Sequence, residues 1–123
     1  MKQRQPIRIS LSEVSVSLNQ PLELFAILNL GLVQSLASGL LSPTEALQRF
    51  YYAENCLYVR RHFRNKEANE VMSRGVQLPD LFDGLPAEEA RREFYHELEA
   101  MRTLCLHILE KQRSPGVSDR AIA

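Results

Sequence analysis

Two charged residues could form a polar site on the apolar side of a predicted helix. The helix predicted for residues 43–65 has a broad apolar side, and Glu54 and Arg61 both fall near the centre of that side. They are seven residues, about two turns, apart, so their side chains line up on the same side of the helix. Charges buried there need partners. One interpretation is a ligand pocket near Glu54 and Arg61 that His96 and His107 reach from a later helix. The other, which we favour, is that each charge reaches the edge of the bundle or pairs with another charge.

The spacings of histidine, cysteine and glycine do not indicate a catalytic or metal site. Glu93 and His96 form a single E-x-x-H, whereas carboxylate-bridged di-iron bundles need this motif twice. Cys105 and His107 are two residues apart and point to different sides of a helix. The chain has no G-x-x-x-x-G-K and no G-x-G-x-x-G motif to bind phosphate. We therefore predict no catalytic residue, no metal and no cofactor.

A basic flank on the same predicted helix could bind nucleic acid. Arg60 and Arg64 are four residues apart, and Arg49 extends their row. Such a flank can bind phosphates. However, 15 Lys and Arg residues balance 15 Asp and Glu residues, so the chain has no general attraction to nucleic acid or anionic lipid. A solvated basic face is the favoured interpretation.

The helix predicted for residues 43–65 also carries a second, narrower apolar stripe opposite the broad side. This stripe consists of Tyr52, Cys56, Val59 and Phe63. Leaving such side chains in water forgoes about 1.5–3 kcal/mol each. The N-terminal arm, the loop predicted for residues 75–86 or a second copy of the chain could cover the stripe. We predict a homodimer to which this helix contributes.

The first long helix is predicted for residues 21–41 and is apolar nearly all round, which favours a central position. Residues 24–41 carry no charge and reach the lower length limit for a membrane span. Their polar and glycine residues favour a buried helix instead. Gly31, Ser35 and Gly39 recur at every fourth position. Close packing within one subunit is favoured over a self-association groove.

The helix boundaries follow from caps and breakers. Ser42 and Glu45 have the spacing of a capping box around Pro43, and this helix either ends near residue 65 or continues to 73, before Gly75. Residues 75–86 are predicted to be a loop, and a third helix follows over residues 86–112. The apolar stripe of that helix consists of Ala90, Phe94, Leu98, Met101, Cys105 and Ile108.

The two ends of the chain are predicted to lie outside the helical bundle. Apolar and polar residues alternate over residues 7–18, with a slip in phase at 12–13, which favours an irregular strand. A lone strand is marginal in water, so this arm should pair with a second copy. Residues 114–123 are predicted to be a disordered tail.

These observations predict a mainly α fold, a bundle of three to four helices with an N-terminal β arm that is dimeric. Residues 1–113 form one domain. Free thiols at Cys56 and Cys105 and the lack of an apolar leader favour the cytoplasm. The function predicted first is a non-enzymatic homodimeric interaction or regulatory module, with possible protein partners and no membrane or nucleic-acid partner. The alternatives are a small ligand-binding protein or enzyme around Glu54 and Arg61, and a nucleic-acid-binding protein.

Overall fold

The computed structural model describes residues 7–113, and the prediction of a mainly helical fold is confirmed over that range. α6 packs against both α2 and α5, so these three helices form the body of the molecule. The elements are α1 (Leu11–Ser15), α2 (Pro21–Ala37), α3 (Pro43–Arg49), α4 (Ala53–Tyr58), a π-helix (Val59–Phe63), α5 (Lys66–Gly84) and α6 (Ala87–Gln112).

The stripe predicted for the third long helix is the part of α6 that forms the core. All six of its residues are buried, and α6 begins and ends within one residue of the predicted bounds. Acidic residues in its first turn suit the positive end of the helix dipole. α6 is therefore the element whose position follows most directly from its periodicity.

α2 is predicted to be central because it is apolar nearly all round, and it does pack against α6, but only one of its sides is buried. Its inner side, which includes Phe25, Asn29 and Val33, is buried, whereas Ile27 and Gly31 on the opposite side are exposed. The helix ends at Ala37, four residues earlier than predicted, because Gly39 adopts a left-handed φ of 75° and terminates it. No helix in residues 7–113 combines the length and the apolar character that crossing a bilayer requires.

α3 begins with the predicted capping box. The hydroxyl of Ser42 accepts a hydrogen bond from the amide of Glu45 at 3.1 Å, and the Glu45 carboxylate accepts one from the amide of Ser42 at 2.8 Å. The hydrogen bond from the backbone amide of Ser42, followed by the side-chain interaction with Ser42, favours the ionised carboxylate and lowers the pKa of Glu45. The start of this helix is confirmed.

The single helix predicted for residues 43–65 is wrong, because the chain breaks twice. α3 ends at Arg49, and Phe50 and Tyr51 then turn into the core, where both are fully buried. The side-chain amide of Asn55 donates to the carbonyl of Phe50 at 2.8 Å and so satisfies an acceptor near the break. After α4 the chain continues as a π-helix. This π-helix is terminated by Arg64, whose φ is 50°.

The loop predicted for residues 75–86 is also wrong, since α5 runs through to Gly84. Buried Val71, Met72 and Leu78 give this segment a core-facing stripe that overrides its breakers. Pro79 lies inside the helix and Gly75 lies against the ring of Tyr51, so neither residue ends it. A Cβ atom on residue 75 would lie 2.5 Å from Cδ1 of Tyr51.

The N-terminal β arm is not formed in the described residues, which contain no strand. Instead, Leu11–Ser15 is a short helix with Leu11 fully buried. The amide of Ile9 donates to the carbonyl of Arg49 at 2.9 Å, and the amide of Leu11 donates to Oδ1 of Asn55 at 3.0 Å. The segment thus finds its hydrogen-bond partners within the same subunit. The predicted tail at 114–123 lies outside the described residues.

Candidate functional site

The π-helix and the turn after it carry a concentration of positive charge. We call this region the basic turn. It consists of the cations Arg60, Arg61, Arg64 and Lys66, the last at the start of α5, together with the imidazole of His62. All five side chains are exposed, and none forms an ion pair with a carboxylate in the part of the chain that is described. The positive charge of this turn is therefore directed to solvent.

The backbone of the basic turn is unusual at two points. π-helical turns are rare and often occur at functional sites. Arg64 is the one non-glycine residue in 7–113 with a positive φ, a conformation that costs about 1–2 kcal/mol. It allows the chain to leave the π-helix and begin α5, which Asn65 caps by accepting a bond from the amide of Ala68 at 2.8 Å. The rigid body of α5 thereby fixes the position of the turn.

A groove of about 480 Å³ lies between the basic turn and α5. Its lining is Cys56, Arg60, Asn69, Met72, Ser73, Val76 and Gln77. We call it the Cys56 groove. Burial raises the pKa of the Cys56 thiol, and the positive charge of Arg60 opposes this shift. The guanidinium of Arg60 therefore interacts electrostatically with the thiol. The lining combines apolar side chains with one cation and several neutral hydrogen-bonding groups.

The residues predicted for a polar pocket are not brought together. Glu54 is exposed and lies 3.7 Å from the guanidinium of Arg8, while Arg61 belongs to the basic turn. His96 is exposed on α6, and His107 lies 3.9 Å from a carboxylate oxygen of Glu67. The alignment of Glu54 with Arg61 required a continuous α-helix. The π-helical turns that begin at Val59 take Arg61 out of this alignment, and both residues are exposed. Across residues 7–113, no three His, Cys, Asp or Glu side chains are grouped closely enough to hold a metal ion.

The flank predicted from Arg49, Arg60 and Arg64 is split by the same break. Arg49 is half-buried at the end of α3, 4.0 Å from the carboxylate of Glu45. Arg60 and Arg64 lie beyond α4 in the basic turn. They remain candidates for binding phosphate, but Arg49 does not lie on a common helical face with them.

The narrow apolar stripe is covered within the subunit. Val59 is fully buried, and the ring of Phe63 packs edge-on against Phe25 with centroids 5.6 Å apart. The hydroxyl of Tyr52 donates to the carbonyl of Ile9 at 2.6 Å, and Cys56 is half-buried in its groove. The homodimer stays a prediction, but this stripe does not supply the reason for it.

A different, uncharged surface faces solvent. We call it the outer face of α2. It consists of the half-buried Leu24, of the exposed Ile27, Gly31 and Gln34, and of Ser38, which caps the C-terminus of the helix. Ile27 is 54% exposed, and a Cβ atom on residue 31 would meet nothing within 4 Å. Close packing of Gly31 inside one subunit, the interpretation favoured from its spacing, is therefore wrong.

Two features of these surfaces were missed from the sequence. Asn55 had no assigned role, although its side chain joins α4 to the N-terminal segment through Ile9 and Leu11. The α5 wall of the Cys56 groove was missed because Gly75 and Pro79 indicate a loop. The helical spacing of Asn69, Met72, Ser73 and Val76 is the signal that could have revealed it.

The chain matches a protein family described as "Protein of unknown function (DUF3969)" over residues 18–122, and it belongs to that family. No curated protein and no solved structure matches it.

Proposed function

We propose that this DUF3969 chain is a non-enzymatic interaction module that forms a homodimer across the outer face of α2. The observation that carries this proposal is an uncharged helical surface on which Ile27 is more than half exposed and a Cβ atom on residue 31 would have no neighbour within 4 Å. Contiguous exposed apolar surface marks a site of association, and Ile27 lines a shallow cavity together with Leu18 and Leu24.

The absence of charge favours a second copy of the chain as the partner. Contacts near the axis of a two-fold dimer place each residue against its own copy, so a charged residue there would meet a like charge. After Glu23, α2 has no charged residue. Its outer face can therefore pack against itself without electrostatic repulsion.

Gly31 allows two helices to approach closely, and its polar neighbours can be buried at low cost. The hydroxyl of Ser35 donates to the backbone carbonyl of Gly31 at 2.9 Å, and the side-chain amide of Gln34 donates to the hydroxyl of Ser38 at 3.0 Å. Because these groups already have partners within the helix, covering them leaves few unsatisfied hydrogen bonds.

The N-terminal segment enlarges this surface. Leu18 lines a shallow cavity with Leu24 and Ile27, and it is 42% exposed. Val14 and Val16, which precede it, are exposed as well. Stable interfaces bury about 800 Å² per partner, more than one helical face usually supplies. We infer that this segment joins α2 in the interface.

Disulfide trapping tests the proposed crossing. In Gly31→Cys, the two introduced thiols lie close to the two-fold axis, so mild oxidation should convert most of the protein to a covalent dimer. Gly84→Cys is the matched control, because residue 84 is also exposed with nothing within 4 Å of a Cβ atom. Equal crosslinking of both variants, or none in Gly31→Cys, would contradict the proposed interface.

We place this module in a reducing compartment such as the cytoplasm. Cys56 and Cys105 are both free, one half-buried and the other buried in the core. Chains from oxidising compartments more often use such residues in disulfides.

The basic turn supports a second candidate function, the binding of single-stranded nucleic acid. Its exposed cations lack carboxylate partners among the described residues, and the exposed ring of His62 stacks on Tyr58 with centroids 4.2 Å apart. Cations beside exposed rings are the groups that bind phosphates and stack on bases. Arg61→Glu and Arg64→Glu should abolish salt-sensitive binding of a fluorescent oligonucleotide, whereas Arg102→Glu on α6 should preserve it. Absence of binding by the unmodified chain at low salt would eliminate this candidate.

A further inference from the structure

We propose that the Cys56 groove binds a small molecule with an apolar body and a single anionic head, and that Arg60 holds the head. This inference is independent of the homodimer, because the groove lies between the π-helix and α5 and includes no residue of α2.

The floor of the groove suits an apolar body. Met72 is 2% exposed, Val76 is 38% exposed, and the thiol of Cys56 lies half-buried beside them. The volume of about 480 Å³ falls in the range of about 300–1,000 Å³ that is usual for small-molecule sites. Covering this floor would remove the exposed part of Val76 and the thiol from water.

The rim of the groove selects the charge of the head. Arg60 is the one charged residue among its lining residues, and no carboxylate lines the groove. The other polar residues of the lining, Asn69, Ser73 and Gln77, are neutral. A carboxylate or phosphate could therefore pair with the guanidinium without meeting a like charge, whereas a cation would be repelled.

The neighbouring residues reinforce this selection. Arg61, Arg64 and Lys66 carry the same sign as Arg60 and have no ion-pair partner in residues 7–113. Their combined field raises the local concentration of anions. The contact itself is assigned to Arg60, since it alone of these cations lines the groove.

Cys56 provides a direct readout of occupancy. An amphiphile in the groove covers the thiol and should slow its alkylation by iodoacetamide, a neutral reagent. Peptide mass analysis separates this reaction from that of Cys105, which is fully buried and serves as an internal reference. Sodium decanoate is the anionic probe, and decan-1-ol and decyltrimethylammonium are probes of the same chain length without the negative charge.

Decanoate below its micellar concentration should slow alkylation of Cys56 at least fivefold, and the neutral and cationic probes should change it less than twofold. In Arg60→Gln, protection by decanoate should disappear relative to the rate of that variant without probe. Arg102→Gln, which removes an exposed cation on α6 outside the lining of the groove, is the matched control and should keep the protection. Equal protection by decan-1-ol, full protection in Arg60→Gln, or no protection of the unmodified chain would each overturn the proposal.

Discussion

The contact between Tyr51 and Gly75 shows how one residue decides the packing of two elements. The Tyr51 ring occupies the space that a side chain on residue 75 would need. The hydroxyl of Tyr51 donates to Oδ1 of Asn29 at 2.7 Å, and the side-chain amide of Asn29 donates to the backbone carbonyl of Phe25. Tyr51 therefore joins α2 to α5 while leaving no polar atom of its ring unsatisfied.

Gly75→Ala should destabilise the fold by about 1–3 kcal/mol, because the added methyl group overlaps a ring that is fully buried and cannot move aside freely. Urea denaturation measures this change. Gly84→Ala adds the same group at the end of α5, where nothing lies within 4 Å, and should cause no loss. A stable Gly75→Ala variant would show that the ring has room to shift.

The buried thiol of Cys105 should make the fold sensitive to alkali. Burial raises its pKa from 9.0 to about 12, so the folded chain keeps a proton that the unfolded chain releases above pH 9. Stability should be unaffected below pH 8 and then fall by about 1.4 kcal/mol per pH unit between pH 9 and 12. Burial also raises the pKa of the Cys56 thiol and that of Tyr51, which add further losses above pH 9 and pH 10 respectively.

Urea denaturation of the unmodified chain and of Cys105→Ala at pH 7, 9 and 10 separates Cys105 from the other two groups. Cys105→Ala should lose less stability than the unmodified chain between pH 9 and 10, where Tyr51 contributes little. Identical losses in both proteins would mean that this thiol is not held in its protonated form by the fold.

At the scale of elements, the break between α3 and α4 depends on Asn55. Its side chain makes three hydrogen bonds of 2.8–3.0 Å, to Leu11, Ile9 and Phe50. These bonds satisfy the amide of Leu11 and the carbonyls of Ile9 and Phe50, which lie at helix ends or outside the helices. One buried amide thus holds the N-terminal segment against the point where the chain turns.

Asn55→Ala should reduce the free energy of unfolding by about 2–4 kcal/mol, because it leaves buried donors and acceptors without partners. Hydrogen exchange at the amide of Leu11 should also become faster, since its acceptor is lost. Asn69→Ala is the control. Its side chain makes no hydrogen bond to any of residues 7–113, and the variant should stay near the stability of the unmodified chain. Unchanged exchange at Leu11 would contradict this role for Asn55.

The elements differ in how far their residues predict them. The stripe of α6 predicts the helix and its buried side because no competing signal interrupts the period. α5 was divided wrongly because Gly75 and Pro79 are strong breakers when read locally, whereas burial of Leu78 keeps them helical. The break after Arg49 has no glycine or proline to mark it. It depends on contacts of Tyr51 and Asn55 with residues distant in the chain.

The candidate sites were harder to predict than the fold for the same reason. The prediction of a pocket at Glu54 and Arg61 assumes one unbroken helix over residues 43–65. The spacing of residues does not reveal the breaks in this helix, and because of them the two side chains do not form a pocket. Arg60 was identified as a phosphate contact, but its place in a groove depends on the α5 wall. The spacing of Gly31, Ser35 and Gly39 predicts a groove of small residues. Only the packing of the chain shows which side of α2 it occupies.

At the scale of the whole molecule, the basic turn and the outer face of α2 lie on different elements. The basic turn lies at one end of α5, and the outer face of α2 carries no charge. A chain with zero net charge can therefore present a cationic surface to ligands and a neutral surface to its own copy. The proposed dimer leaves the Cys56 groove free, because no residue of α2 lines it.

Analytical ultracentrifugation of the unmodified chain and of Ile27→Glu tests the homodimer most directly. The unmodified chain should sediment with twice the chain mass of 14.1 kDa, and Ile27→Glu should sediment with the mass of one chain, because the introduced charges meet across the two-fold axis. Leu57→Glu, at an exposed apolar residue of α4, should remain dimeric. An unmodified chain that stays monomeric at the highest measurable concentration, or an Ile27→Glu variant that stays dimeric, would contradict the proposed interface.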